Sequence, residues 1–512
     1  MNEEQYRLLF DACDRVLLAP DSTIERVAIP WLHVIREHPV FLANYVDLFE
    51  PATGGRAIVR KWSLLFRNRA GWFKQIVSTL RADGQPWFGP KELPRGVDIL
   101  FVSHLLNESQ AGNAEDFYFA GLANELVARG HSAVIALINH TGKDAKPLAV
   151  RWNGSPVPRV IFSGSLYLLE EVNLYRRIKR GSLRLRKLAK KEEQELPRRI
   201  LARASEEGLA NGSLTNMRIA WQIGALTAKL QPKAIVVTHE GHAWERVAFA
   251  AARSVRPSVR CIGYQHAALF CLQHAIRRNL APEYNPDQIL TAGEITQAQL
   301  SRAPGLRGIP VTVLGSNRGS ISSLEEGQTA AGTQGRILGK APACLVIPEG
   351  IASECDILFN FALACAQLLP RIRFIWRLHP ILSFESLVSK NKKFRQLPAN
   401  VEMSRMPIEQ DLERCRWALY RGTTAVMLAV LSGLRPIYLK LAAELSIDPL
   451  HELNTFRVTI ESPEDFLRII NVDLNDDRNS EDKEFKVAYD YCRRYFLPWN
   501  VTVLANILSR VS

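Results

Sequence analysis

Short apolar runs typical of buried strands alternate with amphipathic stretches over most of this chain, and the alternation limits the folds open to it. The first series contains VDILFVSH at 97–104, an amphipathic stretch that begins at Glu115 and ends at Gly130, and SAVIALI at 132–138. A strand, a helix and a strand within roughly 40 residues are typical of a βαβ unit. Further strands are predicted at 234–240, 260–266, 288–293 and 311–315, with a helix over 243–255. The series predicts a doubly wound, Rossmann-like domain over residues 96–315.

The alternation stops after this domain and then starts again. Residues 316–341 are rich in Gly, Ser and Thr and have no hydrophobic period, which is typical of a flexible linker. Beyond them, strands are predicted at 343–347, 373–379, 417–420 and 435–439, with helices over 353–369 and 423–433. These elements predict a second Rossmann-like domain over residues 342–475. The predicted fold class is therefore α/β, with two doubly wound Rossmann-like domains facing a cleft.

The two ends of the chain carry helical patterns. Residues 1–95 alternate helical stretches with breakers such as FEPATGG and show no strand pattern, so a helical N-terminal region is predicted there. Residues 476–512 predict C-terminal helices, broken at Pro498, that pack back across the domains. A basic helical insertion is predicted at about 165–210 within the first domain.

Within that insertion, residues 174–203 are rich in Lys and Arg. Leu174, Ile178, Leu185 and Leu188 form a narrow apolar stripe among them. One interpretation is a basic interfacial helix against anionic lipid, and the other is a solvated, charged helical hairpin. Nucleic-acid binding is disfavoured because aromatic residues do not interleave with the basic ones.

Composition limits the partners and the compartment. The net charge of +13 and the pI near 9.4 favour anionic partners. The eight cysteines form no CxxC pair and mostly sit in apolar runs, as reduced core thiols of a cytosolic protein do. The acidic N-terminus lacks signal-peptide features, and no apolar run reaches the roughly 18 residues that span a bilayer. We therefore expect a cytoplasmic protein, with any contact to the inner face of the cytoplasmic membrane being peripheral.

The stretch RFIWRLHP places Arg377 and His379 at the end of a predicted strand. Alternation puts both side chains on one face, and Pro380 ends the strand and restricts His379 to extended geometry. Ligands of doubly wound sheets lie at the carboxyl ends of the strands, so the pair suits a phosphate or a leaving group. The alternative is a structural histidine that closes a strand.

Two further strand ends of the second domain carry candidate groups. After WALY, Gly422 precedes Thr423 and Thr424, either of which would cap a helix whose N-terminus favours an anion. Glu349 lies in the loop after the first strand of this domain. Glu354, by contrast, falls in a helical first turn, where acidic residues are ordinary.

In the first domain, polar residues follow three predicted strands. His239, Glu240 and His242 follow one strand, and a carboxylate between histidines is a candidate general base for an acceptor hydroxyl. The other candidates for the lining of the cleft are His104, Asn107, Gln265 and His266.

The sequence patterns disfavour metal and cofactor chemistry. Gly241 makes the HEGH stretch a loop, unlike the helical HExxH zinc arrangement. The chain also has no DxD, GxGxxG, GxxxxGK[ST] or GxSxG motif. We therefore predict no metal and no cofactor, and the nucleotide-linked donor described next would be a substrate.

With these residues, the chain resembles the GT-B glycosyltransferases that build bacterial surface polysaccharides. DFYFAGLANELVARGHSAVIAL looks like the first βα unit of many GT-B acceptor domains. His379 with Pro380, followed by Thr423 and Thr424, resembles the HP and Ser/Thr-pair motifs of bacterial sialyltransferases and Kdo transferases. In those families the histidine and hydroxyls contact the phosphate of a CMP-sugar, and the resemblance implies that role here. The same pair occurs in CDP-glycerol glycerophosphotransferases.

The resemblance implies transfer of a sugar, of the nonulosonic or ulosonic acid type, from a CMP-sugar in the second domain. The acceptor would be a surface glycan or lipid-linked glycan held by the first domain. The acidic-acidic-glycine motif of sialyltransferases is replaced by HEG at 239–241 and PEG at 348–350, so Glu240 and Glu349 both remain candidates for the catalytic carboxylate. The alternatives are a UDP- or GDP-sugar donor, CDP-glycerol-type phosphotransfer, and an inactive scaffold in polysaccharide assembly.

Overall fold

A mostly parallel eight-stranded sheet forms the first domain. The computed structural model describes residues 1–49, 55–81, 84–151, 156–319, 342–475 and 481–509. The strand order is β1-β4-β3-β2-β5-β6-β7-β8, and β1 is antiparallel to β4 whereas the other described pairs are parallel. The strands are β1 Trp87–Phe88, β2 Ile99–Leu105, β3 Ala133–Asn139, β4 Arg159–Phe162, β5 Ala234–Thr238, β6 Arg260–Gln265, β7 Gln288–Thr291 and β8 Val311–Val313.

Helices cover both faces of this sheet, which is why its strands are almost wholly apolar. The helices of this domain are α6 Leu122–Ala128, α7 Ala145–Ala149, α8 Leu168–Lys191, α9 Glu195–Glu207, α10 Asn211–Leu230, α11 Ala243–Val255 and α12 Glu294–Ser301. Of these, α8 and α9 pack against the N-terminal region and not against the sheet. The predicted helix from Glu115 to Gly130 is too long. Asp116 accepts hydrogen bonds from the N–H groups of Tyr118 and Phe119, both at 2.8 Å, and this local turn delays the helix to Leu122.

The second domain has a six-stranded, fully parallel sheet in the order β11-β10-β9-β12-β13-β14. Its strands are β9 Ala343–Ile347, β10 Arg373–Trp376, β11 Val401–Met403, β12 Trp417–Tyr420, β13 Arg435–Leu439 and β14 Val458–Ile460. Its helices are α13 Ala352–Leu368, α14 Phe384–Lys390, α15 Ile408–Arg414, α16 Ala425–Leu431 and α17 Pro463–Asn475. Numbered within the domain, this order is the 3-2-1-4-5-6 arrangement of a doubly wound sheet, so the predicted fold class is confirmed.

The strand predicted at 373–379 is shorter than expected. β10 ends at Trp376, and Arg377 still donates its N–H to the carbonyl of Val346 at 3.1 Å. The chain then turns, with the N–H of Leu382 bonded to the carbonyl of His379 at 3.0 Å, and Pro380 has no N–H to continue a ladder. Arg377 and His379 therefore do not share a strand face.

Short helices and one long helix make up most of the N-terminal region. They are α1 Glu3–Leu17, α2 Ile24–Val27, α3 Pro39–Leu42, α4 Val46–Phe49 and α5 Gly55–Arg81. The prediction of no strand in residues 1–95 is wrong at β1. Its two residues pair with Phe162 and Ile161 and extend the edge of the first sheet.

The basic segment forms the helical hairpin α8–α9, and its apolar stripe is not free. Leu174, Ile178 and Leu185 are buried in one cluster with residues of α1, and Leu188 packs against the same cluster. The stripe that would have entered a bilayer is therefore covered by the N-terminal region. Among the described residues, no helix is both long and apolar enough to cross a membrane.

The C-terminal helices are α18 Glu481–Arg493 and α19 Val501–Ser509. Phe485 of α18 belongs to a cluster that contains Ala292 of the first domain and Tyr420 of the second. Leu504 of α19 packs in the core beneath the first sheet. The tail thus contacts both domains. Most of the predicted linker, from 320 to 341, lies outside the described residues.

Candidate active site

Arg318, just after the last strand of the first domain, bridges to the second domain. Its Nη1 donates to Thr424 Oγ1 at 3.2 Å, and its guanidinium lies 5.2 Å from the ring centre of Phe496. Burial lowers the pKa of Arg318, whereas the charges of Tyr264, Tyr118 and Glu240 oppose that shift. Sequence reasoning missed this residue because it lies in the segment predicted as linker. The available signal was an arginine in the loop that follows the end of β8.

Glu349, in the loop after β9, is held by a histidine of the N-terminal region. The distance from His38 Nε2 to Glu349 Oε1 is 2.5 Å. His38 Nδ1 accepts the N–H of Val40 at 3.2 Å, so Nε2 carries the proton and donates to the carboxylate. His38 is completely buried, and 13% of the Glu349 side chain is exposed. Sequence reasoning missed His38, although HP occurs at 38–39 as well as at 379–380.

A glycine keeps the space beside Glu349 open. Gly422 has φ +62°, and a Cβ added there would lie 2.7 Å from Glu349 Oε1. The left-handed backbone and this close approach both require glycine. Gly422, Thr424 and Glu349 therefore lie at one edge of the second sheet, as predicted for the carboxyl ends of neighbouring strands.

His379 reaches the same edge. Its Nδ1 would lie 3.0 Å from a Cβ built on Gly350, and it accepts a long 3.4 Å hydrogen bond from the N–H of Ile381. Partial burial and the positive charge of Arg318 lower the pKa of His379, and the charge of Glu349 opposes the shift. His379 is thus near both Arg318 and Glu349.

Arg377 has a different environment. Its Nη1 donates to Asp411 Oδ2 at 2.8 Å and to the carbonyl of Met406, and Asp411 is fully buried. A guanidinium that neutralises a buried carboxylate has a structural role in the fold. Sequence alternation could not predict this partner, which lies on α15.

The two threonines differ in their contacts. Thr424 is the N-cap residue of α16, but its side chain makes no capping hydrogen bond. Thr423 accepts one instead, because its Oγ1 lies 3.3 Å from the N–H of Ala425, the first residue of the helix. Thr424 is left to accept from Arg318. Beneath them, Arg421 forms buried ion pairs with Glu354 at 2.9 Å and Glu444 at 2.6 Å.

In the first domain, Glu240 and His242 form a pair at the end of β5. The distance from His242 Nε2 to Glu240 Oε2 is 3.4 Å, and Glu245 Oε2 fixes the loop by accepting the N–H groups of Gly241 and His242. Burial alone would raise the pKa of Glu240, but His242 and the charge of Arg36 lower it strongly. Burial would likewise lower the pKa of His242, but Glu240 and Glu245 raise it.

His104 and His266 lie beside this pair. His104 Nδ1 is 2.8 Å from His140 Nε2, and its Nε2 is 3.1 Å from Thr238 Oγ1. Burial, with the nearby His140, lowers the pKa of His104 to about 3. The ring of Tyr118 makes edge contacts with both His104 and His266. Burial also lowers the pKa of His266, so both imidazoles favour the neutral form.

Three predicted cleft residues serve the local structure. His239 is fully buried, with Nδ1 2.8 Å from Glu245 Oε2, and its ring fills the space above Gly263. Asn107 caps a short helical turn by accepting the N–H of Gln110 at 3.2 Å. Gln265 is buried and donates to the carbonyl of Ala267.

Residues 36–38 of the N-terminal region contact both domains at the cleft. Arg36 lies 5.7 Å from the ring centre of Phe270 and acts electrostatically on Glu240, and Glu37 Oε1 accepts the N–H of Leu272 at 2.6 Å. His38 binds Glu349. The turn before them is strained, because Val34 is β-branched and has φ +44°. The helical N-terminal region therefore contributes side chains to the candidate site.

The oxygen and nitrogen atoms of His38, Glu349 and Glu354 lie within 4.8 Å of one another, a spacing that would fit a metal ion. Their chemistry fits poorly. The Nε2 of His38 is protonated and donates its hydrogen bond to Glu349, so it has no lone pair for a metal. Glu354 Oε2 accepts a hydrogen bond from the Arg421 guanidinium at 2.9 Å. A cation would displace the first hydrogen bond and stand beside a positive charge. We assign no metal here.

A separate cavity of about 690 Å³ opens near the carboxyl ends of β3 and β4. Asn139 and Ser163 line it from the sheet, Lys143 from the loop after β3, and Lys74 from α5. It contains neither Glu240 nor Glu349 and is distinct from the cleft.

Comparison with known proteins gives distant structural likenesses. No family model matches the chain, and no curated protein matches its sequence. The glycotransferase of kitacinnamycin is 13% identical and has a TM-score of 0.46, with 82% of this chain and 100% of that chain covered. Anabaena HepE, solved with UDP and glucose, is 14% identical with a TM-score of 0.44 and coverages of 81% and 98%. UDP-GlcNAc 2-epimerase from Neisseria meningitidis, bound to UDP-GlcNAc, is 11% identical with a TM-score of 0.44 and coverages of 81% and 100%. Likenesses this distant leave the activity to be argued from the site.

Proposed function

We propose that the protein is a glycosyltransferase that binds a nucleotide-sugar at the second domain and transfers the sugar to an acceptor hydroxyl at the first. The observation that carries this proposal is the position of Arg318. A partly buried cation bonded to Thr424 of the second domain, and in electrostatic contact with Glu240 of the first, lies between two Rossmann-like sheets. A negatively charged leaving group formed between two domains needs such a cation.

The leaving-group side consists of Arg318, Thr424 and His379. As the bond between the sugar carbon and the phosphate oxygen breaks, negative charge develops on the phosphate. Arg318 offers a charge-assisted hydrogen bond to it, and Thr424 offers a hydroxyl. The lowered pKa of His379 favours a neutral imidazole, which would donate one N–H to the same oxygens.

The acceptor side consists of His242 and Glu240. A strongly lowered pKa keeps Glu240 ionised and makes it a weak base, whereas His242 retains 37% of its side-chain surface and has the raised pKa. We assign proton abstraction from the acceptor hydroxyl to His242, with Glu240 stabilising the imidazolium that forms. The hydroxyl oxygen forms the new bond to the sugar carbon, and the nucleotide leaves with the bonding electron pair.

Glu349 is a second carboxylate at the donor edge. Its hydrogen bond from His38 and its position beside Gly422 fix its orientation near His379. In this scheme Glu349 orients the sugar of the donor through its hydroxyl groups. If Glu349 instead attacked the sugar carbon, a covalent intermediate would form and configuration would be retained.

For the donor, we propose a CMP-activated ulosonic or nonulosonic acid. The support is the resemblance carried by His379 with Pro380 and by Thr423 with Thr424. These residues flank Glu349 at one sheet edge, where a cytidine nucleotide would lie. The proposed acceptor is a glycan of the cell surface or its lipid-linked precursor.

A donor panel tests the proposal. The full-length protein is incubated with CMP-, UDP- and GDP-sugars and CDP-glycerol, and both binding and products are measured by calorimetry and mass spectrometry. We expect binding of CMP and a glycoside product from the CMP-sugar. A preference for UDP would replace the donor, a new phosphodiester would indicate phosphotransfer, and no binding of any nucleotide would overturn the function.

Paired variants distinguish an enzyme from an inactive scaffold. Each variant is expressed in a strain from which the gene is deleted, and the surface glycan polymer is measured. We expect His242→Ala not to restore the polymer. Glu283→Gln, which changes an exposed carboxylate of the same domain, should restore it fully. Restoration of polymer by His242→Ala would favour the scaffold.

A further inference from the structure

Helix α5 exposes a stripe of large apolar side chains. Trp62, Phe66, Phe73 and Leu80 retain 69%, 78%, 71% and 66% of their surface. At 3.6 residues per turn these four positions fall within an arc of about 40° on the helix. They are therefore not scattered over the helix but lie along one side of it, and we call this set the α5 stripe.

The rest of the protein fixes the direction in which the stripe points. Trp72 stacks on Tyr175 of α8 with ring centres 4.2 Å apart, and Gln75 donates to the carbonyl of Gly164 at 3.0 Å. Thr79 is buried on the same side. These positions lie on average about 120° around the helix from the stripe. Because α5 is anchored through this face, the α5 stripe projects outward.

The charge of α5 indicates what covers the stripe. Its sequence from Gly55 to Arg81 contains seven basic residues and no Asp or Glu. The basic residues are Arg56, Arg60, Lys61, Arg67, Arg69, Lys74 and Arg81. Aromatic residues combined with many basic and no acidic residues are the composition of a helix that lies in the interface of an anionic bilayer. Pairing with a second α5 would bring two such cationic helices together, which repulsion disfavours.

We propose that α5 docks the protein on an anionic lipid surface, with the α5 stripe inserted among the acyl chains and the basic residues near the headgroups. The docking helix belongs to the N-terminal region and differs from the basic hairpin α8–α9, whose apolar stripe is buried. The same helix contributes Lys74 to the wall of the 690 Å³ cavity at the edge of the first sheet, so docking brings that cavity near the lipid surface. The docking proposal does not depend on which donor the enzyme uses.

Vesicle sedimentation with the full-length protein tests this proposal. Vesicles of phosphatidylcholine alone are compared with equimolar phosphatidylcholine and phosphatidylglycerol. We expect binding to the anionic vesicles that weakens with added salt. Replacement of the α5 stripe by serine at all four positions should reduce binding at least about tenfold, because the inserted apolar area is lost.

A matched variant controls for the loss of exposed apolar surface. Val472→Ser with Val487→Ser removes two exposed side chains elsewhere, at 52% and 56% exposure, and should bind as the wild type does. An unchanged circular dichroism melting curve for the stripe variant establishes that it remains folded, since its four side chains are exposed. Equal vesicle binding by the stripe variant and the wild type would overturn the proposal. So would a wild-type dimer that the stripe variant converts to monomer.

A probe in the stripe reports insertion directly. Seven of the eight cysteines are buried, so Cys271→Ser leaves a background in which Phe66→Cys can carry an environment-sensitive fluorophore. We expect a blue shift on addition of anionic vesicles, and no shift from the same label at Val472→Cys. If the emission of the label at position 66 does not shift while the protein sediments with the vesicles, another surface binds the lipid and the proposal for α5 is wrong.

Discussion

His38 donates a hydrogen bond to Glu349 across 311 residues of sequence, with 2.5 Å between the two atoms. The donor belongs to the N-terminal helical region, and the acceptor follows the first strand of the second domain. The N–H of Val40 fixes the tautomer that makes this donation. One side chain of the N-terminal region thus orients a carboxylate of the candidate active site.

The role of His38 can be separated from general folding by three substitutions. His38→Ala and His38→Asn remove the donor at the Nε2 position, and we expect kcat to fall by about 10²-fold because Glu349 is misplaced. His38→Gln keeps an N–H near that position and should recover most of the rate. Steady-state kinetics measure these effects, with KM for the acceptor expected to stay constant. Equal losses in all three variants would indicate that His38 serves packing alone.

Arg318 should control the binding and departure of the donor phosphate. We expect Arg318→Ala to lower kcat/KM for the donor by about 10- to 100-fold, the effect of one lost charge-assisted hydrogen bond. The kcat/KM of Arg318→Lys for the donor should lie between those of the wild type and of Arg318→Ala. Arg302→Ala, which removes an exposed arginine paired with Glu452, is the matched control. If Arg318→Ala had the kinetics of this control, the leaving-group assignment would be wrong.

Gly422 and Gly130 offer a comparison of two left-handed glycines. Both have positive φ, so alanine at either position should cost about 1–2 kcal/mol of unfolding free energy. Only Gly422→Ala places a Cβ against Glu349, whereas Gly130 has open space around it. We therefore expect similar losses in thermal stability but a large loss of turnover in Gly422→Ala alone. Normal turnover in that variant would remove Glu349 from the chemistry.

The pair of Glu240 and His242 predicts a pH effect. Glu240 raises the pKa of His242, and a base acts only when it is deprotonated, so activity should rise with pH through that pKa. Glu240→Gln removes the negative charge and lowers the pKa of His242. We expect the acid limb of kcat/KM to move to lower pH while the maximal rate falls. A limb that stays in place would contradict the assignment of His242 as the base.

Glu37 should make the protein less stable as pH rises. Burial raises the pKa of Glu37 to about 7 from its usual 4.5, so between these values the folded state binds more protons than the unfolded state. Its stabilising contribution is complete below about pH 4.5 and lost as pH rises through about 7. At about pH 8, Glu37→Gln should be more stable than the wild type by up to about 3 kcal/mol. Thermal melts across this range measure the difference, with exposed Glu4→Gln as the control. A constant difference between Glu37→Gln and the wild type at all pH values would show that Glu37 does not titrate as described.

Much of the fold could be predicted because burial leaves a periodic record in the sequence. A strand covered on both faces, such as ACLVI at 343–347, is apolar throughout, and every predicted strand of the second domain has a counterpart in the sheet. The short strands β1, β4, β11 and β14 were not predicted, and two element ends were misplaced where side chains or sterics override the period. Asp116 delays α6, and Pro380 with the following turn ends β10 early.

Prediction of the site was less complete. The positions of Glu240, Glu349, His379 and Thr424 at strand ends follow from local patterns, because parallel strands present their carboxyl ends at one edge. The roles of Arg377 and His239 depend on their partners Asp411 and Glu245, which no local pattern identifies.

By itself the sequence determined the two doubly wound domains, the strand ends that carry polar residues, and the glycine and threonines after β12. These follow from hydrophobic periodicity and local backbone sterics, which act over a few residues. Only the tertiary structure decided that His38 meets Glu349, that Arg318 bridges to Thr424, and that the α8 stripe is buried while the α5 stripe is exposed. Those outcomes depend on packing between segments far apart in the chain, and amphipathic periodicity gives the apolar face of a helix without giving what covers it.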